Sequence, residues 1–185
     1  MKTSDYLGQV ILEISQAGAL IANEDLEKLV EHILHSKKVF VYGAGRSGFM
    51  LKSFAMRMMH MGIDAYVVGE TVTATYEKDD LLIVGTGSGE TKSIITIVEK
   101  AKSIGGKITA FTISPDSTVA KLADQVIKLP GSPKDRGKEE AKSIQPMGSL
   151  FEQLLLIVLD SVILKYMKLK ELDSNKMYGK HANLE

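Results

Sequence analysis

The chain contains no cysteine, which removes thiol nucleophiles, disulfides and cysteine-ligated metals from consideration. It carries no net charge. Its 23 basic residues are matched by 23 acidic ones, so no bulk field gathers nucleic acid or anionic lipid. Long apolar runs are missing as well. The most apolar stretch, residues 150–164, is interrupted by Glu152, Gln153 and Asp160 and is short for a membrane span. The opening residues Met1 to Tyr6 have no apolar signal core, and no segment repeats or has low complexity. These absences lead to the expectation of a soluble cytoplasmic protein. At 185 residues and 44% hydrophobic content, the chain is expected to form one domain, 1–185, with a sizeable core.

What stands out against this background is a pair of glycine-and-hydroxyl loops, each directly after a short apolar strand and before a helical stretch. The first is Val41-Tyr-Gly-Ala-Gly-Arg-Ser-Gly48. The second is Val84-Gly-Thr-Gly-Ser-Gly-Glu-Thr-Lys-Ser93. Loops of this kind aim backbone N–H groups and hydroxyls at an anion above a helix N-terminus. Two of them in consecutive β-loop-α units suggest one small phosphorylated ligand at the strand ends of a parallel sheet. In the second loop Thr86, Ser88 and Thr91 bracket Gly87 and Gly89. The glycines allow unusual dihedrals and close approach. An ordinary N-cap by Ser88 or Thr91 explains one hydroxyl but not three, so phosphate binding is the favoured reading. Gly45 and Ser47 supply the equivalent positions of the first loop.

Periodicity predicts the frame. Residues 3–36 read as helical, split near Asn23, a candidate N-cap, with Leu7, Val10, Ile11, Ile14 and Leu26, Leu29, Val30, Ile33, Leu34 at helical spacing. Strands are predicted over 38–42, 64–68, 81–84, 107–113 and 125–129. Helices are predicted over 49–61, 92–104 and 117–123, with Gly105 and Gly106 stopping the second. Continuous apolar strands alternating with helices give a doubly wound α/β fold, a five-stranded parallel sheet with helices on both faces. Residues 131–146 then form a long polar loop, of the kind that is usually functional or disordered, and it is expected to be an active-site loop. Ser149 to Leu169 follows as a helix apolar on nearly every side, which points to subunit packing. The tail 176–185 is polar.

One alternative must be weighed. Gly43-Ala-Gly-Arg-Ser-Gly48 is literally G-x-G-x-x-G, and Glu70 ends the next strand, where a dinucleotide fold places its ribose-binding acid. Against a nicotinamide dinucleotide stand the crowding by Arg46 and Ser47, the second hydroxyl-rich loop, and the lack of a substrate domain.

Three motifs in order then carry a resemblance. Gly43-Ala44-Gly45-Arg46-Ser47-Gly48, Gly87-Ser88-Gly89-Glu90-Thr91 and Gln145-Pro146-Met147-Gly148-Ser149-Leu150-Phe151-Glu152 together resemble the sugar isomerase (SIS) domain family, and more narrowly the hexulose-phosphate isomerases within it. The resemblance spans essentially the whole chain, including the closing His181-Ala-Asn-Leu-Glu185. It implies a flavodoxin- or Rossmann-like three-layer sandwich. The implied reaction interconverts 3-hexulose 6-phosphate and fructose 6-phosphate. The implied setting is the ribulose monophosphate route, beside a hexulose-phosphate synthase that fixes formaldehyde, and the implied assembly is a homo-oligomer, a tetramer. A sensor that binds sugar phosphate without turning it over is the rival from another class; no output domain flanks the motifs.

Moving a carbonyl between neighbouring carbons needs a base, a donor or cation near the oxygens, and a grip on the remote phosphate. No redox cofactor or metal is required. The resemblance makes Glu152 the candidate base, although Ser149-Leu-Phe-Glu152 also reads as an S-x-x-E capping box. A helix N-terminus weakens a carboxylate as a base, and desolvation against Phe151 and Leu154 offsets that. Arg46 is the candidate cation for enediolate or phosphate oxygens, with a surface salt bridge as its bland alternative. His60 and His181 are the candidate proton shuttles. His32 and His35 read as solvated or packing residues. Asp160, in the middle of the apolar helix, is expected to be a buried partner of a cation or an interface residue.

Overall fold

Continuous apolar runs are what a parallel sheet covered on both faces requires, and the computed structural model sets five of them side by side. The structure describes residues 2–132 and 143–184. In chain order the elements are α1 (Thr3–Gly18), α2 (Asn23–His35), β1 (Val39–Gly43), α3 (Gly45–His60), β2 (Ala65–Val67), β3 (Leu81–Gly85), α4 (Lys92–Ile104), β4 (Lys107–Thr112), α5 (Thr118–Leu122), β5 (Gln125–Lys128), α6 (Ser149–Leu169) and α7 (Ser174–Tyr178).

The strands lie in the order β2-β1-β3-β4-β5, all parallel. The chain therefore winds from β1 to one edge and then returns to build the other half. The reversal falls between β1 and β3, and ligands of open α/β sheets bind at such a switch point. The side-chain period of two splits each strand between two cores. Val39, Val41, Leu81 and Ile83 join one core with residues of α1, α2, α3 and α6. Phe40, Leu82, Val84, Ile108 and Ala110 join the other with residues of α4 and α5. Among the described residues no helix is long and apolar enough to cross a membrane.

Several boundaries differ from the sequence expectation for identifiable reasons. Helix α3 starts at Gly45, not Phe49, so most of the first glycine loop is the helix's own first turn. That turn packs directly on β1: a methyl on Gly48 would lie 2.5 Å from the Gly43 carbonyl oxygen, so neither the strand end nor the helix start has room for side chains there. Asn23 is the first residue of α2, and Ala22 holds the cap position without a side-chain bond. The tail contains an unexpected short helix, α7, whose N-cap Asp173 accepts the Lys176 N–H at 2.8 Å. Helix α6 has the expected bounds but is not enclosed all round. Ile157 (44% exposed) and Leu164 (67%) mark an outward strip, and Asp160 lies exposed on that strip rather than buried with a cation. Of the long polar loop, residues 133–142 lie outside the described residues. Its two ends meet, with the Ser143 N–H donating to Ser132 Oγ at 3.5 Å.

Candidate active site

A cleft of about 250 Å³ opens at the switch point, above the carboxyl ends of β1 and β3. Three helices begin there. Arg46 and Ser47 come from the first turn of α3, Thr91 stands at the start of α4, and Gly148 and Glu152 frame the start of α6. Ile94, Ile113 and Phe151 add an apolar floor. Each helix N-terminus carries N–H groups without intrahelical acceptors and roughly half a positive charge. Their convergence favours a dianionic group without any bulk positive charge on the protein.

The second glycine loop is ordered from within. Thr86 is buried; its N–H donates to the Phe111 carbonyl at 3.0 Å, and its Oγ1 accepts the Gly89 N–H at 3.2 Å. Ser88 Oγ accepts the Glu90 N–H at 3.2 Å. Each hydroxyl uses an acceptor site for these bonds and retains its proton to give away. Gly89 has φ +68°, and a Cβ there would collide with the Ser117 side chain, a conformation and a closeness that only glycine supports. Thr91 is the N-cap residue of α4 but makes no side-chain capping bond, so its hydroxyl is not spent on the helix. Gly45, Ser47, Thr86, Gly87, Ser88 and Thr91 all line the cleft, while Gly89 shapes the loop from below.

At the rim the structure joins Arg46 to Glu152, residues far apart in sequence. Arg46 Nε lies 3.1 Å from Glu152 Oε2, and Arg46 Nη1 donates to Ser149 Oγ at 3.1 Å. The Glu152 side chain is 11% exposed and the Arg46 side chain 55% exposed. The capping box expected at Ser149-Leu-Phe-Glu152 does not form. The N-cap is Gly148, no side chain caps the helix, and the Glu152 N–H bonds to the Gly148 carbonyl at 3.0 Å. The helix starts one residue early for Ser149 to cap it, and the turn before it carries Met147 at φ +55°. Glu152 is thus freed from the helix and turned to Arg46.

His60 and His181 come together elsewhere. His60 is at the far end of α3, fourteen residues past Arg46, which is about 21 Å along a helix. It is buried, its Nδ1 is 3.2 Å from Arg57 Nη1, and its ring stacks on His181 at 5.4 Å. Tyr178 continues the stack, and Asp160 lines the same hollow. Burial first, then the Arg57 charge and then His181, hold His60 below the ordinary histidine range. Neither histidine lines the cleft of its own chain. Glu70 is also displaced from any role at the switch point: it is paired with Lys52 at 2.5 Å, beside a hollow over β1 and β2. Among the described residues no three acidic or histidine side chains converge to hold a metal ion.

Sequence reasoning missed the apolar floor, and it missed Ser149 as a partner of Arg46. It also missed Ser132, which reaches the cleft from the start of the long loop. None of these carries a local sequence signal.

Comparison with known proteins shows the family. The SIS domain family matches residues 32–157. A 3-hexulose-6-phosphate isomerase of Bacillus subtilis is 53% identical over 185 residues, covering all of both chains. One from Mycobacterium gastri is 40% identical over 174 residues, 94% of this chain and 86% of the other. A Methanococcus jannaschii protein whose crystal structure infers a molecular function of 3-hexulose-6-phosphate isomerase superposes with a TM-score of 0.85 at 40% identity, covering 98% of this chain and 99% of that one.

Proposed function

The chain belongs to the SIS domain family, and on that premise we propose that it interconverts 3-hexulose 6-phosphate and fructose 6-phosphate. The observation that carries the mechanism is the Arg46–Glu152 pair at the mouth of a hydroxyl-lined cleft where three helices begin. The hydroxyls of Thr86, Ser88 and Thr91 and the opening N–H groups of α4 hold the phosphate. The sugar then extends toward Glu152, on the apolar floor.

Glu152 takes the C2 proton. The C–H electrons become the C2=C3 double bond, and the C3 carbonyl π electrons become a lone pair on O3. The result is a cis-enediolate, stabilised by the Arg46 guanidinium. Glu152 returns the proton to C3, the O2 hydroxyl passes its proton to O3, and the carbonyl is now at C2. One base on one face suffices, and no step calls for a redox cofactor. Burial of the Glu152 side chain keeps water from the reacting carbons beside it.

The proposal extends to the cell. It makes the protein a cytoplasmic homotetramer that works with a hexulose-phosphate synthase in the ribulose monophosphate route of formaldehyde fixation. Exposed apolar side chains support the assembly: Leu7 and Ile11 on α1, Phe49 and Met56 on α3, and Leu164 on α6. His60 and His181 have a catalytic role in this scheme only across a subunit boundary, in a neighbour's cleft.

The test is incubation of the purified protein with fructose 6-phosphate in deuterium oxide. Deuterium at C3 of the recovered ketose, together with appearance of the 3-ketose, is the expected outcome. Tight binding with no exchange would instead identify a sensor.

A further inference from the structure

Helix α1 contributes one half-buried carboxylate, Glu13, that the scheme above does not use. Its surroundings are unusual for a helix on the periphery. Oε2 accepts from Ser143 Oγ at 3.0 Å and from Gln145 Nε2 at 2.9 Å. Oε1 accepts the Ile144 N–H at 3.1 Å. Ser143 Oγ in turn accepts the Gln145 N–H at 3.1 Å, and the Ser143 N–H reaches Ser132 Oγ, a cleft residue. One carboxylate therefore binds three consecutive residues of chain more than a hundred positions away.

Those residues sit immediately before the catalytic turn. Pro146 accepts the Ser149 N–H at 3.2 Å, and Met147 holds a left-handed backbone conformation that a non-glycine residue adopts only when its surroundings fix it. Gly148 caps α6, and Ser149 and Glu152 then meet Arg46. The start of α6 has no side-chain cap. What holds the chain just upstream of it is Glu13.

We propose that Glu13 is a positioning residue for the cleft: by clamping Ser143, Ile144 and Gln145 to α1 it fixes the turn at 146–148 and so the place of Ser149 and Glu152. The inference rests on the cleft being the site of isomerisation. It has a chemical logic. Charge-assisted bonds are shorter and about twice as strong as neutral ones, and a misplacement of about 1 Å at a reacting group costs on the order of a hundredfold in rate. The phosphate loop, by contrast, joins β3 to α4.

The test uses three full-length variants: Glu13→Ala, Gln145→Glu, and the exchange Glu13→Gln with Gln145→Glu. Removing the carboxylate should lower kcat about ten- to a hundredfold with little change in KM, while circular dichroism and assembly mass stay those of the wild type. Gln145→Glu alone sets two carboxylates against each other and should also lose kcat. The exchange rebuilds a carboxylate–amide pair in the opposite sense and should recover most of the loss. A purely structural role would lower the melting temperature without this split or rescue. Amide hydrogen exchange reads the clamp independently of turnover: in Glu13→Ala the Ile144 and Gln145 N–H groups should exchange faster, and the effect should reach Ser149. The proposal is overturned if folded Glu13→Ala keeps kcat within about twofold (well short of that positional cost), if the exchange variant is no better than the single variants, or if faster exchange stops at Gln145. If the wild type proves unable to isomerise hexulose phosphate, the functional reading fails, and the exchange at Ser149 alone decides for or against the clamp.

Discussion

Replacing Glu152 by glutamine separates chemistry from architecture, because the structure removes the competing explanation. Glu152 does not cap α6, whose N-cap is Gly148, so the amide deletes no helix-terminal bond. What it deletes is one ion pair with Arg46 at 3.1 Å, and that arginine side chain is 55% exposed, so water takes over its solvation. Pairs of this kind contribute about 0–1 kcal/mol. The amide has the size of the carboxylate and keeps an acceptor oxygen within reach of Arg46. Folding and assembly should therefore survive nearly intact. Catalysis should not. An amide cannot take the C2 proton, and loss of a general base costs about 10²–10⁴ in rate, roughly 3–5 kcal/mol of barrier.

The assay converts 3-hexulose 6-phosphate to fructose 6-phosphate and follows the product through auxiliary isomerase and dehydrogenase steps to reduced NADP. Washing of deuterium from solvent into unreacted substrate is followed in parallel. Glu152→Gln should bind substrate with near wild-type affinity, lose turnover and lose wash-in together. Folded Glu152→Gln protein with near wild-type kcat would refute the base assignment. Loss of turnover with wash-in retained would place Glu152 in the later proton transfers rather than the first.

Thr91→Val should raise KM more than it lowers kcat. The phosphate is a remote handle, and one charge-assisted hydrogen bond is worth about 1.5–3 kcal/mol; unchanged KM would remove Thr91 from the phosphate site. Leu164→Arg, on the exposed strip of α6, should reduce the mass measured by light scattering at micromolar concentration, and an unchanged mass would place the interface elsewhere. His60 is held neutral by burial, by Arg57 and by His181, so the unfolded chain, with an ordinary histidine near 6.5, binds more protons than the folded one below that pH. Stability should therefore be full above about pH 6.5 and fall as the pH drops below it. His60→Gln should flatten that fall in thermal melts between pH 7 and 5, and an unchanged slope would assign it to other groups.

The sheet was legible because its strands are buried on both faces. Leu81 to Val84 is a plain apolar run with no alternation to misread, and Gly105, at φ +94°, ended α4 where the glycine pair predicted. The start of α3 was not legible. Gly45-Arg-Ser-Gly48 has the composition of a loop, and only the close packing of Gly43 on Gly48 shows why a helix begins there. Strand order was equally hidden, since nothing in local periodicity says that β1 lies between β2 and β3. The S-x-x-E pattern at Ser149 was a true pattern with the wrong consequence. A helix beginning one position away from where the motif requires turns the same glutamate from a cap into a partner of Arg46. Glu13 and Ser132 gave no signal at all, because their meaning lies in contacts with residues far along the chain.

In the proposed scheme two helix ends of the cleft take different tasks. A helix N-terminus attracts anions, and three of them here would hold a phosphate and the Glu152 carboxylate alike. The cleft separates the two by supplying them with different partners. The end of α4 is surrounded by hydroxyls that keep protons to donate, a setting that satisfies a group carrying two charges and taking no part in bond making. The end of α6 carries no capping side chain, and its glutamate answers to a guanidinium held by α3. In the proposed scheme, entering sugar oxygens give Arg46 a competing partner and leave the carboxylate facing carbon rather than nitrogen. On the proposed reading, the Arg46–Glu152 pairing is the resting arrangement of the base. It predicts that Arg46→Lys, which keeps the charge but loses the planar fork, should damage turnover far more than folding. If Arg46→Lys instead turned over like the wild type, a point charge would suffice at the rim, and the fork geometry would have no part in steering Glu152.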